Sequence, residues 1–250
     1  MNKAMSQFEA GLPQVVRFTK YDEQGAYHWK ECDKRSRTYN PALDARYEAL
    51  VSRVNRANRV LDVGCGDGYL MAQIKPHAEE VIGIDFELSG VRLATHQLQG
   101  LGNCFVAQAS CYSLPFPDHS FDVVLLADVI EHLEDPDACV REIQRVLHPS
   151  GYLFLTTPKW RPDRRWDVRH VKEFKPNELA QCLMEHFSSV QLTFFWPSIW
   201  SRIYRTRIGW RLVRKLAQYL YNPFLSEGQD PRKYGQILAV CGQASRSLSK

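Results

Sequence analysis

The segment Arg59-Val-Leu-Asp-Val-Gly-Cys-Gly-Asp-Gly-Tyr69 constrains the fold more than any other: an apolar strand ends in Asp62 and passes into a loop with glycine at 64, 66 and 68. Glycine has no Cβ, so it accepts positive φ and lets a ligand approach the backbone. The helix expected after the loop offers unpaired N–H groups and the positive end of its dipole to a carboxylate or phosphate. The spacing G-x-G-x-G is neither the G-x-G-x-x-G of a dinucleotide-binding turn nor the Gly-Lys-Ser/Thr ending of a P-loop.

From residue 60 onward short apolar runs alternate with helical stretches, the order that builds a parallel, doubly wound α/β sheet. Seven strands are predicted, over 60–63, 81–84 (closing at Asp85), 104–107, 121–126, 152–156, 190–195 and 237–241. Helices are predicted over 68–74, 89–99 and 136–147; in the last, Cys139, Val140, Ile143, Val146 and Leu147 recur at helical intervals. A chain of 250 residues holds one such core with appendages. Residues 1–56, with a helix over 42–54, are expected to form an N-terminal lid over the ligand crevice, and 57–250 the core, interrupted by a basic, aromatic insertion at 197–234.

The D-x-G-x-G-x-G loop resembles motif I of class I S-adenosylmethionine-dependent methyltransferases, and two later segments extend the likeness. Ser110-Cys-Tyr-Ser-Leu-Pro-Phe-Pro-Asp-His-Ser-Phe-Asp122 is similar to that family's D-A-x-x-L-P-F-x-D-x-S-F-D, and Ala127-Asp-Val-Ile-Glu-His-Leu-Glu-Asp-Pro136 to its E-V-I-E-H-L-x-D-P. Together these motifs span 60–158. The resemblance, nearest to small-molecule and ubiquinone-pathway O-methyltransferases, implies a seven-stranded, mostly parallel Rossmann-like sheet with the last strand antiparallel. It implies S-adenosylmethionine as cofactor, held by Asp62, Gly64, Cys65, Gly66 and Gly68, with Asp128 at the methionine end. Asp85 would accept hydrogen bonds from the ribose, or else serve as a helix cap or solvated loop acid. Phe86 reads equally as an adenine stacker and as a plain core aromatic. Ser110 stands where the family has an acid, leaving the Cys111 backbone to meet the adenine edge.

A sulfonium methyl is already activated, so transfer needs mainly positioning, with a base where the acceptor carries a proton of high pKa. His132 and His170 are the candidate bases. His170 lies in Trp166-Asp-Val-Arg-His-Val-Lys-Glu-Phe174, followed by Lys-Pro-Asn-Glu-Leu179, which resembles the H-x-x-x-F-T-P-x-E-L segment of methyltransferases whose histidine faces the acceptor. The alternative is a loop histidine at the start of the helix near Pro176. Asp128, Glu131, His132 and His170 also resemble the E-x-x-E-H-plus-histidine metal site of small-RNA 2′-O-methyltransferases and some ubiquinone-pathway enzymes. No metal is expected, because Asp128 reaches less far than Glu and the Glu-His pair also occurs in metal-free relatives. Tyr27, His28 and Trp29, with Trp160, are candidate acceptor contacts or surface packing.

From 197 to 221 there is no acidic residue, while Arg202, Arg205, Arg207, Arg211, Arg214 and Lys215 alternate with apolar and aromatic positions. Such a stretch suits a membrane surface or anionic lipid, or buries one stripe and keeps its arginines in water; Gly209 argues against a single helix. The function expected is methyl transfer to a hydroxyl, less readily to nitrogen or carbon, of a small-molecule acceptor of lipid-linked or glycosylated type. The alternatives are a noncatalytic binding subunit using the arginine-rich insertion, and a metal-assisted RNA 2′-O-methyltransferase. Nucleic acid is not expected as a partner, since net charge is only +4 and no RNA-binding module is appended. The oligomeric state is left open. Seven scattered cysteines with no C-x-x-C pair, and no apolar run long enough to span a bilayer, point to a cytoplasmic protein, peripheral at the membrane if the insertion docks there.

Overall fold

The computed structural model describes residues 19–163 and 167–242; the expectations for 1–18, Trp166 and 243–250 lie outside them. Three short helices come first, α1 (Lys20–Gln24), α2 (Tyr27–Glu31) and α3 (Pro41–Val51). The core follows as β1 (Ala57–Val63), α4 (Tyr69–Ile74), β2 (Ala78–Asp85), α5 (Leu88–Gln97), β3 (Cys104–Gln108), β4 (Phe121–Ala127), α6 (Pro136–Val146) and β5 (Leu147–Pro158). It closes with α7 (Pro176–Met184), β6 (Ser189–Pro197), α8 (Ser198–Tyr204), α9 (Gly209–Tyr219) and β7 (Tyr234–Gly242).

The strands form one seven-stranded sheet in the order β3-β2-β1-β4-β5-β7-β6. All pairs are parallel except those of β7, which runs antiparallel to both β5 and β6. Both faces are covered, and the strand sequences show it. In β4, Val124 and Leu126 join the core on one face with α6 residues Cys139, Val140, Ile143 and Val146. Val123 and Leu125 point to the other, against Leu70, Met71 and Ile74 of α4 and Ala49 and Leu50 of α3. Continuous apolar strands are what a sheet buried on both sides requires.

Local chemistry fixes the helix starts. Asn40 caps α3, its side chain accepting from the N–H groups of Ala42 and Leu43 at 3.2 Å, with Pro41 in the first turn. Asp135 caps α6 through Ala138 N–H at 3.0 Å, ahead of Pro136. Each cap contributes about 1 kcal/mol.

Every strand runs longer than predicted, the fifth by most. The fifth strand begins at Leu147 rather than 152, because the backbone through Pro149-Ser-Gly151 stays extended and Leu147 pairs with Phe121. The insertion holds two helices. Gly209 starts the second because it lies against the end of the first, where a Cβ would overlap the Ile203 carbonyl.

Candidate active site

After β3 the chain crosses back to place β4 on the far side of β1, so a crevice opens beyond the carboxyl ends of these two strands. A cavity of about 310 Å³ lies there, walled by the ends of β1, β2, β4 and β5 and by side chains of α1, α2 and α3. That is the size of a small-ligand site.

Asp62 is the most unusual group on its wall. It sits in mid-sheet, opposite Gly83 and Leu125, only 1% exposed, and neither carboxylate oxygen has a hydrogen-bond partner among the described residues. Burial, with the nearby Asp85 carboxylate adding to it, pushes its pKa up to about 8. A buried acid without a donor is costly unless a ligand supplies one. Asp85 differs. Its carboxylate accepts from the N–H groups of Gly66 and Glu87, both at 2.8 Å, which offsets part of the burial and leaves its pKa raised to about 6. A carboxylate has roughly four acceptor positions, so about half remain for a ligand hydroxyl.

The glycine loop divides its labour. Gly64 and Cys65 line the cavity; Gly66 and Gly68 do not. Gly64 has φ 77°, and a Cβ there would meet Val129 at 2.5 Å. Gly66 is covered by Tyr21 of α1, whose hydroxyl occupies the place of a Cβ, and Gly68 packs on Ala94 and Leu98 of α5. These two glycines let other elements pack on the loop, so of the three expected cofactor contacts only Gly64 lies on the cavity wall. Phe86 and Cys111 are on the wall, with Ala109 between their segments, but Ser110 is not. Its hydroxyl accepts the Tyr112 N–H at 3.2 Å, so the side chain is committed to its own turn.

Asp128 adopts a left-handed φ of 51° just past β4, the sort of strain that functional positions hold. Its Oδ2 accepts from the Arg46 guanidinium and from Gln236 Nε2, while Oδ1, Arg46 Nε and Gln236 Oε1 have no partner among the described residues. A second set of unmatched polar atoms thus faces the same cavity.

His132 and His170 both line it, with ring centroids 5.0 Å apart and edge to face. The Glu131 carbonyl accepts the N–H groups of Val171 and Lys172, and this pins the His170 loop beside His132. His132 Nδ1 lies 3.2 Å from the Arg169 carbonyl and His170 Nδ1 2.9 Å from Glu173 Oε1. Each acceptor requires Nδ1 to carry the proton, which leaves Nε2 with the lone pair. Burial, and the neighbouring His170, hold the His132 pKa below its usual value. Glu131 is 1% exposed, bonded by Thr157 Oγ1 at 2.9 Å, and burial beside Asp128 raises its pKa strongly. Glu131, His132 and His170 have ligand-type atoms within 4.8 Å of one another. Asp128 does not join them, and its Oδ2 is taken by Arg46 and Gln236. The three that remain fit a first-row divalent cation in donor type, with both imidazoles oriented from behind.

The N-terminal helices supply wall that no motif announced. Lys20, Tyr21, Arg46, Tyr47 and Asp67 line the cavity beside Tyr27 and His28. His28 is buried, its Nδ1 3.0 Å from Asp67 Oδ1 without hydrogen-bond alignment, while its backbone N–H donates to Asp67 Oδ2. Burial outweighs Asp67 and lowers the His28 pKa. Arg46 left a trace in the sequence: it falls on the buried stripe of α3, between Ala42, Ala45, Ala49 and Leu50, where a charge needs a partner. Two expected acceptor contacts are elsewhere. Trp29 donates its indole N–H to the Asp67 carbonyl at 3.0 Å and packs edge-on against Tyr69, outside the cavity wall. Trp160 lies on the surface, 39% exposed, under the Lys175 ammonium.

A doubly wound sheet with one reversed strand, a glycine loop after β1 and an acid closing β2 define the class I S-adenosylmethionine-dependent methyltransferase architecture. Residues 61–155 match the family described as a methyltransferase domain. A probable S-adenosylmethionine-dependent methyltransferase of Mycobacterium tuberculosis is 37% identical over 144 residues, covering 56% of this chain and 51% of that protein. A ubiquinone biosynthesis O-methyltransferase of Pseudomonas fluorescens is 31% identical over 136 residues, covering 53% of this chain and 58% of that one. This chain therefore spans little more than half the length of these curated relatives. The crystal structure of YcgJ from Bacillus subtilis superposes with a TM-score of 0.60 at 22% identity, over 80% of this chain and 99% of that one, a likeness of fold.

The wall fits the cofactor of that class. Asp62 would offer its buried carboxylate to the α-ammonium group and Asp85 its remaining acceptor positions to ribose hydroxyls, while Phe86 and Cys111 line the wall where a purine would lie.

Proposed function

We propose that the chain transfers the methyl group of S-adenosylmethionine to a hydroxyl of a small-molecule acceptor, bound between α1–α3 and the 167–170 loop. One observation carries the reading: a carboxylate buried at mid-sheet with no donor among the described residues, beside a glycine loop and a second acid. When bound, the cofactor supplies an activated sulfonium methyl. Asp62 holds its ammonium group and Asp85 its sugar. His170, its Nδ1–H held by Glu173, receives at Nε2 the proton that the acceptor oxygen loses. Tyr21, Tyr27 and Tyr47 exclude water from this end of the cavity, which strengthens the charges within it.

The test is transfer of labelled methyl from S-adenosylmethionine into small-molecule extracts, split into aqueous and lipid fractions. Label entering one fraction, and lost with Asp62→Asn, supports the proposal; label in neither fraction contradicts it. The Glu131, His132 and His170 cluster favours a second reading, in which a divalent cation lowers the pKa of the acceptor hydroxyl. Calorimetric titration with Mn²⁺ or Zn²⁺ decides it. Stoichiometric binding abolished by His132→Ala supports the metal, and no heat with either ion removes it.

A further inference from the structure

The helix pair α8–α9 carries more apolar surface than its packing uses. In α9, Val213 faces inward against Ala42 and Ala45 of α3, with Phe224, and Ala217 one turn on is buried as well. That seam accounts for one stripe of an amphipathic helix. Ile208, Leu212 and Tyr219 recur at intervals of four and seven, so at 3.6 residues per turn they share one face, within about 60° of each other. It is the face opposite the packed seam. These side chains are 68%, 62% and 80% exposed, and Leu220 and Tyr221 extend the surface.

Cations border this face, and Lys215, four residues before Tyr219, falls within it. Arg207, Arg211 and Lys215 are exposed, Arg211 and Arg214 each lie 5.3 Å from the Trp210 ring, and no acidic side chain occurs between 197 and 221. The loop before α3 adds to the charge, since Arg214 donates to the Arg37 carbonyl and Gln218 to that of Lys34, bringing those cations alongside α9. Exposed apolar residues ringed by arginine, with an aromatic at the boundary, suit a surface that is anionic outside and apolar a few ångströms deeper. A nucleic acid would use the charge and leave Ile208, Leu212 and Tyr219 unexplained.

We propose that α8–α9 is an interfacial element that docks the protein on anionic phospholipid bilayers, with Ile208, Leu212 and Tyr219 entering the headgroup boundary and the arginines meeting lipid phosphates. Among the described residues no helix is long and apolar enough to cross a membrane, so the contact is peripheral. The docked face is coupled to the cavity, because α9 packs on α3, the helix that brings Arg46 and Tyr47 to its wall. The inference rests on the helix pair alone and stands or falls apart from methyl transfer.

The experiment is co-sedimentation of the full chain with phosphatidylcholine vesicles, with and without phosphatidylglycerol, at low and high salt. Two double variants accompany it, Leu212→Ser with Tyr219→Ser and Arg207→Glu with Arg211→Glu. All four positions are exposed or flank the exposed face, so circular dichroism is expected to match the parent. Salt-sensitive binding to phosphatidylglycerol vesicles, weakened roughly tenfold or more in each variant, supports the proposal. No binding to anionic vesicles overturns it. Binding that the apolar variant retains in full also overturns it, since the surface is then a generic polyanion site. So does a dimer in ultracentrifugation that Leu212→Ser with Tyr219→Ser dissolves, because the face then belongs to a second copy.

Discussion

Replacing Asp62 by Asn tests the feature from which the site is built. In the free protein the carboxyl titrates near pH 8 instead of 3.8, a rise of roughly four pKa units, each equivalent to about 1.4 kcal/mol. The folded chain therefore holds this proton more tightly than the unfolded chain. Between about pH 4 and pH 8 the folded state binds more protons, so its stability falls as pH rises through that window. Once the group is ionised the loss amounts to roughly 5 kcal/mol. Asn has the shape of the protonated acid and does not titrate. Asp62→Asn should match the wild type at the acid end and exceed its stability increasingly toward pH 8. For a chain of this size that gap corresponds to about 10 °C or more in Tm. The assay is thermal and urea unfolding of both proteins across the window, with and without S-adenosylmethionine. The cofactor should stabilise the wild type and leave the variant almost unmoved, because its ammonium group has lost its partner. Equal pH slopes in the two proteins, or equal stabilisation by the cofactor, would refute the assignment.

His170→Ala should lower kcat by about 100-fold or more while leaving the dissociation constant for S-adenosylmethionine within a few-fold, measured by single-turnover transfer and calorimetry; unchanged turnover makes the residue a bystander. Gly66→Ala places a Cβ on the Tyr21 hydroxyl at a backbone φ of 54°, so α1 should leave the glycine loop. Limited proteolysis should then cut near residues 19–25 faster than in the wild type, with cofactor affinity reduced. Arg46→Ala strips Asp128 of its cation and should destabilise the fold by about 3 kcal/mol, since a buried charge loses its partner. Urea unfolding reads that directly.

The strands and the glycine loop were legible because each is written in local pattern. Apolar runs such as 121–126 have one stable use, a strand covered on both faces, and Asp62 and Asp85 follow from where such strands end. The first-half motifs also located Cys111 and the His132 position. What they did not convey was how the loop is shared: Gly66 and Gly68 are small so that Tyr21 and α5 can approach, which depends on contacts across the fold. Arg46, Tyr47, Lys20 and Asp67 reached the wall through tertiary packing of short helices, and only the charge on the buried stripe of α3 hinted at it. Trp29 illustrates the converse. Its neighbours Tyr27 and His28 face the cavity, but helical geometry turns the next side chain away, onto the Asp67 carbonyl. In the insertion, composition announced a basic amphipathic stretch, while the second exposed apolar face emerged only once Val213 and Ala217 were seen to fill the inward seam.

The most direct measurement is calorimetric titration of the full chain with S-adenosylmethionine and with its demethylated product. The account predicts one saturable site for each, competitive with one another, with affinity that improves as pH rises toward 8 and is lost in Asp62→Asn. Absence of heat with both compounds, in protein whose circular dichroism and melting show it to be folded, would contradict the account at its root.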